Sequence, residues 1–123
     1  MERELIFIGG FFHFGFVVFH LFFWKIFKWK KDLKSLLPVN RAVMQIMNIC
    51  LIFMFFLIGS ISLFHSNELL TENLGRVFLI SVSGFWFLRL ILQFIYFGLR
   101  KSLSVILSIL FLIGSVIYII PVL

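Results

Sequence analysis

Acidic side chains are scarce in this chain of 123 residues, which carries five of them against eleven lysines and arginines, with charged residues making up 13% of the total. The five, Glu2, Glu4, Asp32, Glu68 and Glu72, all fall outside the long apolar runs. Several mechanisms go with them. Small four-helix proton-coupled exporters depend on a membrane carboxylate that proton and substrate occupy in turn, and none is present. Hydrolysis by paired carboxylates lacks its pair, and no Ser, His and acid trio shares a common depth. The single cysteine, Cys50, excludes an intrachain disulfide and reads as a small buried residue.

What is present is hydrocarbon. Apolar residues make up 63% of the chain and 19 of them are phenylalanine, more than a soluble domain of this size can hide from water. Four stretches, residues 5–27, 42–64, 77–99 and 103–123, are each long enough to cross a hydrocarbon core of about 30 Å at roughly 1.5 Å per residue. None alternates as a barrel strand does. The expectation is an all-α integral membrane protein, a single domain over residues 1–123 forming a four-helix antiparallel bundle joined by short loops.

Lysine and arginine give the orientation. Lys25, Lys28, Lys30, Lys31, Lys34 and Arg41 flank the first loop and Arg100 and Lys101 form the third, whereas the second carries Glu68 and Glu72 beside Arg76. The first and third loops are therefore expected in the cytoplasm and both termini outside, in a bacterial inner membrane. The prefix "MERE" is not a positive n-region, so no removable signal peptide is expected. Topology also accounts for most of the basic pI, and no nucleic-acid partner is expected; the basic face suits anionic lipid headgroups.

Polar residues inside the apolar runs fall into stripes. His13, His20 and Trp24 share a face of the first helix, Arg41, Gln45 and Asn48 a face of the second, and Trp86, Arg89 and Gln93 a face of the third. Counting from the cytoplasmic ends, His20, Asn48 and Gln93 lie in one layer roughly 8 to 9 Å deep, with Arg89 and His13 nearer the midplane. A guanidinium there costs about 2.5 to 3.5 kcal/mol and cannot shed its proton. Arg89 thus needs a carbonyl, Gln93, Asn48, water or an anion from outside the protein. His13 and His20 stand about 10 Å apart, too far to share one ion, so neither metal nor cofactor is expected. Gly9, Gly59, Ser104, Ser108, Gly114 and Ser115 read as sites of close helix packing, and Trp24, Trp29 and Tyr96 as an interfacial belt.

The segments "FHLFFWKIFKW", "NRAVMQIMN" and "FWFLRLILQFIYFG" resemble motifs of a group of small four-helix bacterial membrane proteins, a likeness that carries no activity with it. "RAVMQIMN" also resembles a segment of the MAPEG family of trimeric, glutathione-dependent membrane enzymes, which have four helices and a cytoplasmic first loop. That resemblance covers about eight residues and implies Arg41 and Asn48 as contacts to a thiol-peptide headgroup; the family's glutamate three residues beyond the Asn is Leu51 here.

Three functions are compatible with these features. One is an oligomeric carrier or channel for an anionic or amphiphilic, lipid-like ligand, a small anion or a lipid headgroup, with Arg89 as charge partner and Gln93, His20, Asn48, Gln45, Arg41, His13 and Trp86 around it. A second is a structural or accessory subunit of a membrane complex, its polar stripe binding a partner helix. The third is a membrane enzyme of the MAPEG kind, in which Arg41 or Arg89 stabilises a thiolate or oxyanion and His20 moves a proton. The first is favoured, because the polar layer crosses several helices and no nucleophile stands out; a homo-oligomer is expected to complete it.

Overall fold

The computed structural model describes all residues, 1–123, and is helical throughout, with no strand. Its elements are α1 (Glu2–Leu21), α2 (Phe23–Ile26), α3 (Trp29–Asp32), a 3-10 turn (Leu33–Ser35), α4 (Pro38–Phe64), α5 (Ser66–Thr71), α6 (Asn73–Tyr96), α7 (Ser102–Ile119) and a closing 3-10 turn (Ile120–Val122). The helices α1, α4 and α6, and α7 with its closing turn, are long and apolar enough to cross a membrane. The protein is an all-α membrane protein of four such helices.

Local chemistry moves the boundaries away from the hydropathy runs. Pro38 opens α4 four residues before residue 42, because a proline at the first helical position loses no hydrogen bond there and already holds the helical φ. Gly98, at φ +66, stops α6 short of residue 99; its N–H and that of Phe97 both return to the Gln93 carbonyl, closing the helix end in the left-handed conformation that glycine adopts freely. The first span ends at Leu21 rather than 27. Phe22 leaves the helix, α2 adds one turn, and Lys28 takes a left-handed φ of 54 that reverses the chain. The reversal folds Trp29 inward, buried and edge-on to Phe23 at 5.4 Å, whereas Trp24 and Tyr96 are exposed. The polar second loop is partly helical: α5 buries Ser66 and Leu69.

Helix α1 packs along α4, α6 along α7, and α1 along α7. Glycine permits the closest approaches. A Cβ on Gly9 would stand 2.6 Å from the Tyr118 ring of α7, and one on Gly10 would stand 3.1 Å from the Gly59 carbonyl of α4. These contacts all lie toward the end of the bundle that carries α5. At the other end the helices meet through large rings, Phe55 of α4 stacking on Trp86 of α6 at 5.5 Å, and the bundle opens. Outward faces carry Ile46, Ile49, Phe53 and Phe56 on α4, exposed apolar side chains that suit lipid. Cys50 is on this face and exposed, not buried. It shares that outward face with Ile46, Ile49 and Phe53, so a thiol at that register has no core to enter.

Candidate functional site

The polar residues of the spans divide into separate clusters. Nearest α5, His13 ties all four long helices together. The Trp86 indole N–H on α6 donates to His13 Nε2 at 3.0 Å, and since an indole can only donate, the His13 proton lies on Nδ1. Nδ1–H is then shared between its own helix, at the Gly9 carbonyl (2.8 Å), and the Tyr118 hydroxyl of α7 (3.1 Å). That hydroxyl meets Ser62 of α4 at 2.8 Å. His13, Ser62, Trp86 and Tyr118 are all buried. The network consumes both nitrogens of His13 and seals this end of the bundle. Beside it the Ser83 hydroxyl donates to the Ser115 carbonyl at 2.7 Å, joining α6 to α7.

Below this seal the bundle holds a cavity of about 840 Å³, within the size range of small-molecule sites. It lies between the second half of α1 with the chain as far as Trp29, the C-terminal half of α6, and the start of α7, with Leu51 and Phe55 reaching in from α4. Eleven of its twenty lining residues are Phe, Tyr or Trp, so the wall is mainly aromatic. Trp86 belongs to both structures, its N–H in the seal and its ring in the cavity wall.

Arg89 supplies the charge in this wall. It is half-buried; its Nη1 donates to Gln93 Oε1 at 3.0 Å, and its guanidinium lies 4.6 Å from the centre of the Phe111 ring. Gln93 is positioned in turn: its Nε2 donates to Ser104 Oγ at 2.9 Å, and Ser104 donates to the Gly98 carbonyl at 2.6 Å. The Gly98 turn brings Gln93 and Ser104 together from two helices. No carboxylate reaches Arg89, since the ion pairs of the protein join Met1 with Glu4 and His65 with Glu68. A guanidinium has several N–H donors, and the protein engages one of them. The lining closest to the first and third loops adds Arg100 and Lys101, a second tier of positive charge.

Of the eight sequence candidates, His20, Trp86, Arg89 and Gln93 line the cavity. His20 donates from Nδ1 to the Phe16 carbonyl and stacks on Phe23 at 4.2 Å. His13 lies in the seal. Asn48 is buried between helices, its Nδ2 donating to the His20 carbonyl at 3.2 Å where α1 ends, with its Oδ1 unpartnered. Arg41 turns away from the cavity to clamp the first loop, Nε donating to the Leu33 carbonyl at 2.8 Å and Nη2 to those of Leu36 and Lys34. Gln45 donates to the Arg41 carbonyl of its own helix. The polar residues of the α4 stripe thus make their hydrogen bonds to backbone carbonyls of the chain, and Arg41, Gln45 and Asn48 are not among the cavity-lining residues. His65 is exposed and pairs with Glu68. No three His, Cys, Asp or Glu side chains come together in a metal-binding group.

The sequence reading missed Ser104, Arg100, Lys101 and the aromatic wall. The signal for Ser104 was the glycine in "FGLRKS", which marks a tight reversal and sets the start of α7 opposite the end of α6. No protein-family model matches the chain, and neither a curated protein nor a solved structure is significantly similar to it.

Proposed function

We propose that this membrane protein is a carrier for an anionic amphiphile, which it takes into the cavity from the face bearing the first and third loops. The observation that carries this reading is Arg89: a permanent cation, half-buried in an aromatic cavity, with one hydrogen bond to a neutral amide and no acid in reach. A charge so placed is costly in a bilayer unless an anion completes it. The wall favours an apolar body beside that anion, and Arg100 and Lys101 would raise the local concentration of negative ligands at the entrance. With those loops in the cytoplasm, the cavity opens toward the cytoplasmic leaflet. Since His13, Tyr118, Trp86 and Ser62 close the far end, the site is loaded from one side, and release to the other requires that seal to open or a second copy to complete the path.

The test is native mass spectrometry of the gently solubilised protein beside Arg89→Gln. An anionic lipid or metabolite retained by the parent and lost from the variant supports the proposal. A bare protein in both preparations, or one held to another polypeptide, rejects it in favour of a structural subunit.

A further inference from the structure

The two histidines of α1 hold the same local posture and end differently. Each donates from Nδ1 to the carbonyl four residues earlier, His13 to Gly9 at 2.8 Å and His20 to Phe16 at 2.9 Å, so each leaves Nε2 as a bare acceptor. At His13 the protein supplies the missing donor, the Trp86 indole N–H. At His20 it supplies none. His20 is only 8% exposed and lines the cavity, so what remains accessible of its ring opens on that space. Its neighbours hold the ring in place: Phe23 stacks on it at 4.2 Å and Phe55 meets it edge-on at 5.1 Å. The donor that α4 brings to this point, Asn48 Nδ2, is engaged by the His20 carbonyl. Gln93 Nε2 and the Ser104 hydroxyl, in the same lining, already donate to Ser104 and to the Gly98 carbonyl. A buried acceptor without a donor is costly, and here the donor has to come with the ligand.

The cavity thus offers cationic donors at Arg89 and a lone acceptor at His20, and the Arg89 charge is close enough to act on the His20 ring. A carboxylate, a sulfate or a phosphodiester brings acceptors alone and leaves Nε2 empty. An ammonium donor would be repelled by Arg89, Arg100 and Lys101, all in the same lining. A phosphomonoester meets both demands: with a second pKa of about 6, its monoanion carries negative oxygens and a P–OH on one phosphorus. We propose that the ligand is an amphiphile with a phosphomonoester headgroup, its oxygens on the Arg89 guanidinium and its P–OH donating to His20 Nε2. This inference rests on the carrier reading and narrows it, from any anionic head to one that also donates. Phe23 and Phe55 hold the acceptor, and Gln93, held by Ser104, holds the cation, so both are in place before the ligand arrives.

The experiment is isothermal titration of the detergent-solubilised protein at about pH 6 with decyl phosphate and with decyl methyl phosphate, which keeps the chain and one negative charge but has no P–OH. The parent is expected to bind the monoester about five-fold or more tightly, and His20→Phe, which keeps a ring for Phe23 but removes the acceptor, to bring the two within about two-fold. Arg89→Gln is expected to lose both esters; both variants are checked for helicity and a single gel-filtration peak. Nitrogen NMR of the histidine-labelled parent needs no substitution: decyl phosphate should shift the His20 Nε2 signal, and the diester should leave it in place. Equal binding of the two esters, with Arg89→Gln weakening both, overturns the phosphomonoester and leaves the anionic-amphiphile reading standing. A preference that His20→Phe leaves undiminished, or an Nε2 signal unmoved by decyl phosphate, overturns the role of His20. Inorganic phosphate displacing decyl phosphate at a similar concentration would put a free phosphate in the site and overturn the amphiphile. Failure of both esters to bind the folded parent removes the inference and the reading beneath it.

Discussion

Replacing Arg89 by methionine should leave the empty bundle as stable as before or make it more stable, while abolishing ligand capture. Methionine is long, unbranched and apolar, and so can fill much of the space over Phe111. What it forfeits can be counted. The hydrogen bond to Gln93 corresponds to about 0.6 kcal/mol for an average interhelical bond in a membrane, here within one helix. The guanidinium over Phe111 adds about 0.5 to 2 kcal/mol, depending on how dry the site is. Against these stands the cost of a guanidinium near the bilayer centre, about 2.5 to 3.5 kcal/mol. The balance runs from roughly zero to about 2 kcal/mol in favour of methionine. Reversible unfolding in mixed micelles, followed by far-UV circular dichroism as the denaturing detergent fraction rises, reads this difference directly. A variant destabilised by about 2 kcal/mol or more would show that the protein already satisfies Arg89, and the argument that its charge awaits an external anion would fail.

The seal gives two further expectations. Tyr118→Phe removes a hydroxyl that bonds both His13 and Ser62 and should destabilise the bundle by about 1 to 3 kcal/mol in the same unfolding assay, whereas an unchanged midpoint would mean those bonds are not formed in the membrane. Gly9→Ala drives a methyl into the Tyr118 ring and should cost about 1 to 3 kcal/mol; Gly15→Ala, one helical face away with open space around its Cα, should be neutral or slightly stabilising, and equal losses at the two sites would contradict the packing. Arg41→Gln frees the carbonyls of the first loop and should speed tryptic cleavage after Lys28 to Lys34 several-fold without changing decyl phosphate affinity; a loss of affinity with protection unchanged would return Arg41 to the binding site.

The spans are readable from sequence because crossing a membrane requires about 20 apolar residues in a row, a condition few other structures meet. Their ends are less readable, since they depend on single residues: Pro38 at the start of α4, Gly98 after α6, and the left-handed Lys28, whose conformation no local preference of lysine announces. The same distinction runs through the site. Helical periodicity says that Arg41, Gln45 and Asn48 share a face, but not that this face meets α1 and the carbonyls of the first loop rather than the cavity. His13 and Arg89 look equivalent as polar groups near the midplane. Partners separate them: His13 is bonded through both nitrogens by Trp86, Gly9 and Tyr118, and Arg89 has only Gln93. The aromatic wall was hidden in plain view, because 19 phenylalanines spread along the chain do not reveal which of them face one another.

The measurement that bears most directly on the central claim is photo-crosslinking with 4-benzoylbenzoate, an apolar anion carrying its own photoreactive ketone, in reconstituted vesicles, followed by peptide mapping. The account predicts label within Phe16 to Phe27 and Phe85 to Phe111, displaced by excess decyl phosphate and absent from a folded Arg89→Gln variant. Label on the outward face of α4, around Ile46 to Phe53, at equal intensity in parent and variant, would mean that the anion only partitions into lipid beside the protein and that Arg89 binds nothing.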